Sequence, residues 1–345
     1  MMLSSIMLNA REEQQKMRIS RRSVLCSIAA LGILAGPMRA AAQDAAWPTP
    51  PAAGEKGSPE NPIKLGSNWT VGFLPAYSIG EIAKAHGWNI EVIDFASSSQ
   101  RATALAQGSL DAAMLGWAAS IKLAADGFPA VVIANSFSNG YAIIAGKDTG
   151  IKSVEDLKGK TVAITIGSMN EIHLLSQLER AAIAKEYVDI VQMNLSDMSL
   201  ALARGDIDVM VSDEPASSVA LTSGFGVLVK HPNDTDMGGI NANVTTTRDF
   251  IENSEPAVQA LVTAFVEATD HLKANPDTVL EQAKEIFKRD EDVVKLALQN
   301  ISMDYQINPT QVRALIDWQM KLNQIKSEPD ISTLITTQYL EAASE

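Results

Sequence analysis

Polar and aromatic residues collect in a few short runs of this sequence, each directly after an apolar run. SNWTVGFLPAYS (Ser67 to Ser78) holds Trp69 and Tyr77, ASSSQR (Ala96 to Arg101) holds Ser98, and NSFSNGY (Asn135 to Tyr141) holds Ser136. Trp117 follows AAMLG directly. In VAITIGSMNEIHLL (Val162 to Leu175) a strand pattern passes through one glycine into a helix that begins at Ser168, Met169 and Asn170. Asp213-Glu214-Pro215 closes another apolar run, and Asn241 stands where the strand pattern fades. These residues suit non-covalent capture of a small solute. A helix start leaves N–H groups unpaired and attracts anions. An acidic pair accepts hydrogen bonds from an amine or a ring N–H. Aromatic side chains make a small pocket apolar and specific. Each feature also has a plain structural reading. Ser97 to Ser99 can be helix caps, Asp213 and Glu214 can favour a helix dipole, and the aromatics can be core or rim. Arg101 is the nearest cation to these runs, and it can point outward.

Bond-making chemistry finds little support. No G-x-G-x-x-G or G-x-S-x-G is present, and LKGKT (Leu157 to Thr161) lacks the earlier glycine of a phosphate loop. His86, His173, His231 and His271 lack metal-ligand spacing. No Ser/His/Asp grouping is visible. No cofactor and no metal are expected.

The elements that must position the polar runs alternate regularly. Strands are expected at Ile63–Gly66, Ile90–Phe95, Leu110–Leu115, Ala130–Asn135 and Tyr141–Ala145, with helices near Ile79–Ala85, Gln100–Gln107 and Ala118–Ala125. The pattern restarts with strands at Thr161–Thr165, Val188–Met193, Ile207–Val211 and Gly226–Val229. Helices near Glu171–Ala184, Met198–Arg204 and Ala216–Ser223 separate them. Strands alternating with helices imply parallel α/β sheets covered on both faces. Past Asn241 helices dominate, at Pro256–Ala274, Thr278–Phe287, Asp292–Asn300 and Pro309–Ile325, and are expected to close over a lobe already built. An internal echo supports two lobes of like topology. ALAQGSLDAAMLGW (Ala104 to Trp117) and ALARGDIDVMVSDE (Ala201 to Glu214) align without gaps, each reading as helix end, glycine stop and buried strand. The echo equates Gly116-Trp117 with Asp213-Glu214, and chance between two common helix-to-strand joins is its alternative.

Residues 1–42 read as an export signal: a basic start, an apolar run from Val24 to Leu34, and Ala40 to Ala42 before a cleavage site near Ala42. Ser20-Arg21-Arg22-Ser23-Val24-Leu25 is similar to a twin-arginine signal, with Sec export as the alternative. The expected location is therefore the periplasm. Six cations (Arg11, Lys16, Arg18, Arg21, Arg22, Arg39) against Glu12 and Glu13 give the signal +4, so the chain's formal −13 becomes −17 for the remainder. So acidic a protein is poorly suited to nucleic acid or anionic membranes. Cys26 lies in the signal, which leaves the remainder with no disulfide and no thiol nucleophile. Residues 43–62, rich in Pro, Ala and Gly, read as a flexible linker.

Three quoted stretches in order carry a family resemblance: LPAYSIGEIAKAHGWNIEVIDFASSSQRATALAQGSLDAAMLG, then GIKSVEDLKGKTVAITIGS, then ALARGDIDVMVSDEP. They resemble the nitrate/sulfonate/taurine/pyrimidine-precursor (SsuA/NMT1-like) substrate-binding proteins of ABC importers over roughly residues 63–265, most specifically at Ser153–Ser168. The resemblance implies a type II periplasmic binding protein, an α/β fold of two α/β lobes with a ligand cleft between them and extra C-terminal helices. It places lobe 1 at 63–144 and 239–345, lobe 2 at 145–238, and the crossings near Ala145–Lys147 and Gly239–Asn243. It implies that the helix start at Gly167-Ser168, the residues after the first strand and the Asp213–Pro215 corner line the cleft. It also implies a monomer that hands a small-molecule solute to an ABC permease in the inner membrane. The first helix is shorter than the family's usual one, and the solute stays open between a sulfonate-like anion and an amine or N-heterocycle. A ligand-presenting sensor is the rival role. A pyrimidine-synthase-like enzyme lacks its cysteine-rich motif here, and a regulator's ligand domain is opposed by the export signal.

Overall fold

Short apolar strands between amphipathic helices build two sheets. A computed structural model describes residues 47–68, 70–95 and 97–343. The signal reading and candidate Trp69 lie outside these residues. The first sheet starts with β1 (Ile63–Ser67), β2 (Ile90–Asp94) and β3 (Ala112–Gly116), β1 pairing in parallel with the other two. Helices α1 (Ala76–Ala85) and α2 (Ser98–Ala106) connect them, and α3 (Trp117–Ala125) leads to β4 (Ala130–Asn139). The second sheet holds β5 (Ala142–Gly146), β6 (Thr161–Ile164), β7 (Asp189–Gln192), β8 (Val209–Ser212) and β9 (Gly226–Lys230). Its helices are α4 (Met169–Arg180), α5 (Leu195–Arg204) and α6 (Ala216–Thr222). The chain then returns to the first sheet as β10 (Ile240–Thr247), antiparallel between β3 and β4.

Helices dominate what remains, beginning with α7 (Arg248–Asn253), α8 (Glu255–Ala274), α9 (Pro276–Phe287), α10 (Glu291–Asn300), α11 (Pro309–Lys321) and α12 (Ile331–Leu334). Between α10 and α11, β11 (Ile301–Met303) pairs with β4, and α13 (Gln338–Ala343) ends the described chain. Val258, Leu261 and Phe265 of α8 join Ile79 and Trp117 in one buried cluster, so these helices cover the first sheet.

Strand order shows the relation between the halves. The first sheet runs β11-β4-β10-β3-β1-β2 and the second β7-β6-β8-β5-β9. Without β11 the two orders are the same, and in each the strand beside the third one has arrived from the other sheet. Both sheets are therefore mixed rather than purely parallel.

The internal echo has a shared physical basis. Gly108 and Gly205 end their helices at φ of 70° and 76°, in the left-handed region that suits a glycine helix stop. Three residues later Asp111 accepts a hydrogen bond from Lys64 N at 2.8 Å, and Asp208 accepts one from Thr161 N at 2.9 Å. The same aspartates donate their own N–H back to Lys64 O and Thr161 O at 3.0 Å. Each aspartate thereby fixes the start of its lobe's first strand. Two chance resemblances would not share both bonds.

Three expectations are corrected. The linker is packed from Trp47 onward. Trp47 stacks on His86 with ring centroids 4.2 Å apart and donates to Glu267 at 2.6 Å, while Trp88 donates to Pro48 O. Two tryptophan contacts hold a segment that its Pro/Ala/Gly content makes look loose. The strand expected to end lobe 1 is β5, and it pairs with β8 and β9 in the second sheet. The first crossing thus lies at Asn139–Tyr141, not Ala145–Lys147, because strand β4 continues through NSFSN. The fading pattern after Asn241 conceals β10, a central strand. Its Asn241, Asn243, Thr245 and Thr246 are buried, and partners such as Ser120 and Asp111 O satisfy Thr245 and Thr246.

The aspartate anchor is testable. Asp208→Ala removes a charged acceptor from a strand start and is expected to lower stability by about 1.5–3 kcal/mol. Asp126→Ala removes only an exposed pair with Lys122 and is expected to cost less than about 0.5 kcal/mol. Urea midpoints compare the two, and equal midpoints would remove the anchor role.

Candidate functional site

Ligands of open α/β sheets bind beyond the carboxyl ends of the strands. Here those ends are Ser67-Asn68, the Ser97-Ser98 helix start and Gly116-Trp117 in the first lobe. In the second they are Thr165–Asn170 and Asp213-Glu214. Two crossings join the lobes side by side. Asn139 N donates to Gly239 O at 2.5 Å, and Asn233 Nδ2 to Asn139 Oδ1 at 2.9 Å. His231 Nδ1 lies 3.1 Å from Tyr141 O. Asn139 has φ of 66°, a conformation asparagine tolerates better than most residues. The lobes also touch away from the crossings. Asn300 donates to Glu214 at 2.7 Å, Gln324 donates to Glu171 at 2.8 Å, and Lys321 pairs with Glu179. Met169 and Ile172 of α4 pack into the first lobe's buried cluster.

Several candidates prove to be engaged in the fold. Trp117 is fully buried and donates Nε1 to Asn135 Oδ1 at 2.9 Å, making it core. Ser136, also buried, donates to Gly72 O. Asn241 bridges the crossing, donating to Asn139 O at 2.7 Å and accepting from Tyr141 Oη at 3.2 Å. Asn170 donates to Val211 O at 2.7 Å, tying α4 to β8. Met169 is buried between the lobes, and Glu214 accepts from both Ser218 N and Asn300. Tyr77 donates to Asn68 O at 3.2 Å, and burial beside Asp94 holds its phenol well above the ordinary range.

The helix start at Ser168 is closed by its own residues. Ser168 Oγ accepts from Asn170 N at 3.1 Å and donates to Thr165 O. Glu171, one turn into the helix, accepts from Gly167 N at 2.8 Å. Gln192 accepts from Ile166 N at 2.5 Å. A carboxylate therefore already sits where an incoming anion was expected.

Free polar atoms mark a different set of positions. Among the described residues, Asn68 Oδ1, Ser98 Oγ and Arg101 Nη1 at the first lobe's strand ends are buried without a partner. So are Ser212 Oγ, Asp213 Oδ1, Ser217 Oγ and Ser218 Oγ at the end of β8. Buried polar groups are nearly always paired in folded proteins, and seven of the fifteen such atoms among the described residues gather at these strand ends, where one missing partner would meet them. Of these, Ser98 and Asp213 were legible as candidates. Arg101 was read as a residue that could point outward, yet it is 3% exposed. Its Nε donates to Met114 O at 2.7 Å and its guanidinium lies 5.5 Å from the Phe73 ring centre. Burial lowers its pKa to about 10, still charged at neutral pH, with Asp94 holding it up in part. Asp213 is shifted the other way. Burial, with some help from Glu214, raises its carboxyl to about 7, and Asp213 in turn raises the Tyr141 phenol, which burial raises more.

His173, on the next turn of α4, is buried against Tyr141 with ring centroids 4.4 Å apart, and burial lowers it to about 4. It is a neutral packing residue at the crossing. A groove of about 500 Å³ opens near the other end of α4, lined by Lys152, Gln177, Arg180 and Lys230. Its Arg180 and Lys230 both pair with Asp234, and it contains none of the free atoms at the strand ends.

Known proteins share this architecture. A family model described as NMT1/THI5 like matches residues 84–279. The taurine-binding periplasmic protein of Escherichia coli is 30% identical over 209 residues, a match spanning 60% of this chain and 64% of that protein's length. A putative aliphatic sulfonates-binding protein of Bacillus subtilis is 22% identical, covering 80% of this chain and 87% of its own. The crystal structure of the periplasmic aliphatic sulphonate binding protein SsuA from Escherichia coli superposes with a TM-score of 0.72 at 22% identity, covering 81% of this chain and 93% of that one. At that identity the superposition establishes the fold: an α/β protein with two mixed sheets, of the type II periplasmic binding kind.

Asp213 supplies a test of the site's electrostatics. A carboxyl with a folded pKa near 7 against an unfolded 3.8 binds protons preferentially in the folded state. Its contribution to stability is present below about pH 4 and is lost as pH rises through 7. Asp213→Asn removes that dependence. The variant's stability relative to the parent is expected to improve between pH 4 and pH 8, by on the order of 3 kcal/mol. Urea unfolding at the two pH values measures it, and a difference that does not change with pH would refute the buried-carboxyl account.

Proposed function

The chain belongs to the NMT1/THI5-like family, and from that premise we propose that it is the periplasmic solute-binding component of an ABC importer, taking a small organic solute of the sulfonate class. The observation that carries this reading is the pair of free polar sets at the strand ends of both lobes. A solute lying between them satisfies donors and acceptors that the protein alone leaves unmet. The names of the relatives, taurine-binding and aliphatic sulfonates-binding, support the solute class.

The proposed mechanism uses the crossings as a hinge. A solute that touches both lobes binds the closed arrangement better than the open one and shifts the balance by that difference. Asn300 to Glu214 and Gln324 to Glu171 belong to the closed arrangement in this account. Their lobe 2 ends adjoin the solute corner and the α4 start, so closure and solute contact are felt by the same residues. The closed monomer then docks on an inner-membrane permease, which releases the solute by reopening the lobes. No residue makes or breaks a covalent bond in this scheme, and it requires no cofactor. Export of the chain by a twin-arginine signal cleaved near Ala42 completes the proposal.

Thermal denaturation with a panel of alkanesulfonates, aminoalkanesulfonates, alkylamines and pyrimidines tests the reading. A true solute present at one hundred times its dissociation constant is expected to stabilise the protein by about 2.7 kcal/mol. Calorimetry should return one site per chain. A panel in which nothing raises the melting temperature would sink the capture function.

A further inference from the structure

The charges at the two sets of strand ends are unlike. Arg101 is the only lysine or arginine among the described residues whose side chain is buried. It projects from α2 one turn beyond the capping residue Ser97, whose Oγ accepts from Gln100 N. Its aliphatic stem runs past Gly66, where an added Cβ would lie 3.6 Å from Arg101 Cγ and Cδ. Its Nε bonds to Met114 O, two residues before β3 ends. The guanidinium is thus held at the carboxyl ends of β1 and β3, over Phe73, and Nη1 has no partner among the described residues. On the other side, every charge at the strand ends is acidic: Glu171 on Gly167 N, and Asp213 beside Glu214.

A purely structural role covers only part of this. Stacking on Phe73 and the bond to Met114 O explain the stem and Nε. Asp94 lies near enough to help keep the guanidinium charged. None of these gives Nη1 a partner, and a buried guanidinium donor without one is a rare arrangement. The planar fork of arginine is the group best matched to a tetrahedral or planar oxyanion. Ser98 Oγ and Asn68 Oδ1, from neighbouring segments of the same lobe, are also free.

Building on the capture function above, we propose that Arg101 is the residue that selects an oxyanion: the sulfonate head of the solute docks in the first lobe on the Arg101 guanidinium. The solute's other end, where it bears a hydrogen-bond donor, faces Asp213 in the second lobe. The polarity is the reverse of an anion seated on the α4 helix start, whose Gly167 N–H is already taken by Glu171. An anion there would meet the Glu171 carboxylate. Loading therefore begins in the first lobe, with Asp213 making its contact as the lobes close.

Calorimetry on the full exported chain tests this with ethanesulfonate, which has only the anionic end, with taurine, which has both ends, and with ethylamine. The wild type is expected to bind the two sulfonates. Arg101→Gln is expected to weaken both by about 100-fold, and Arg101→Lys, which keeps charge without the fork, by about tenfold. Asp213→Asn is expected to weaken taurine at least tenfold and ethanesulfonate by less than threefold. Melting curves without ligand identify variants that fold. If Arg101→Gln does not fold, Arg101→Lys decides. Sulfonate affinity within threefold of wild type in the deciding Arg101 variant overturns the assignment. Equal loss of taurine and ethanesulfonate in Asp213→Asn overturns the orientation. A wild type that binds ethylamine or a pyrimidine but neither sulfonate overturns the Arg101 assignment and leaves solute capture standing. A wild type that binds nothing overturns both.

Discussion

Neither sheet of this protein is completed by its own half of the chain. Strand β10 enters the first sheet after the chain has built the second, and β5 enters the second directly from β4. Each exchanged strand is flanked on both sides by strands of the receiving sheet, so both lobes require both crossings to be in place. The constraint fixes where the crossings run, side by side at the ends of β4 and β9. It also fixes what lies next to them. Tyr141, on one crossing, packs beside His173 of α4, and its phenol, raised chiefly by burial, is raised further by Asp213 at the end of β8. The hinge and the acidic corner are thus one structural neighbourhood.

That neighbourhood explains why so many polar residues near the cleft make no use of their chemistry. A crossing exposes backbone groups that no regular strand partner satisfies; Asn241 donates to one of them, Asn139 O, while the Tyr141 hydroxyl and Asn233 in turn donate to the amide oxygens of Asn241 and Asn139. Asn241 sits at a strand end and carries an amide, which makes it look like a ligand residue in sequence. Its role in the fold is to hold the hinge. The same holds for Trp117, whose place at the end of β3 matches that of Asp213-Glu214 at the end of β8 by the internal echo. The echo is real at the level of backbone, since Asp111 and Asp208 make the same bonds. It does not extend to function, because one lobe fills the position with a buried indole and the other with carboxylates.

Legibility followed the physical origin of each signal. Alternating apolar runs betray strands buried on two faces, so most elements of both lobes could be read within a few residues. Strand β10 could not, because its buried residues include Asn and Thr, and the partners of Thr245 and Thr246 are met only in the assembled sheet. The Trp47 strap was hidden for a related reason: two indole contacts outweigh the loose composition around them, and composition is what sequence reading weighs. Of the candidate site, Ser98 and Asp213 were visible as polar residues at strand ends. Arg101 was named with its direction left open, since an arginine within a Ser/Gln/Thr-rich helix can face solvent. Its burial depends on contacts distant in sequence, the bond from Nε to Met114 O and the Phe73 ring beneath the guanidinium.

The VAITIGSMNEIHLL stretch shows how an electrostatic argument can be correct in general and reversed in a particular case. A helix start does favour negative charge. Here the favour is already taken by Glu171, four residues after Gly167 in the same turn of chain, and Gln324 of the first lobe holds that carboxylate from the other side. The helix start becomes part of the contact between lobes rather than a vacant anion seat. Once the second lobe's positive end is satisfied internally, the remaining charges there are the acids Asp213 and Glu214, and Glu214 is itself held by Ser218 N and Asn300. Asp213 alone keeps a free oxygen. The free cationic donor and the free acidic acceptor then stand in different lobes. A solute that bridges opposite charges across a hinge gives closure its largest electrostatic gain, because each end contributes fully only when both lobes are in contact with it.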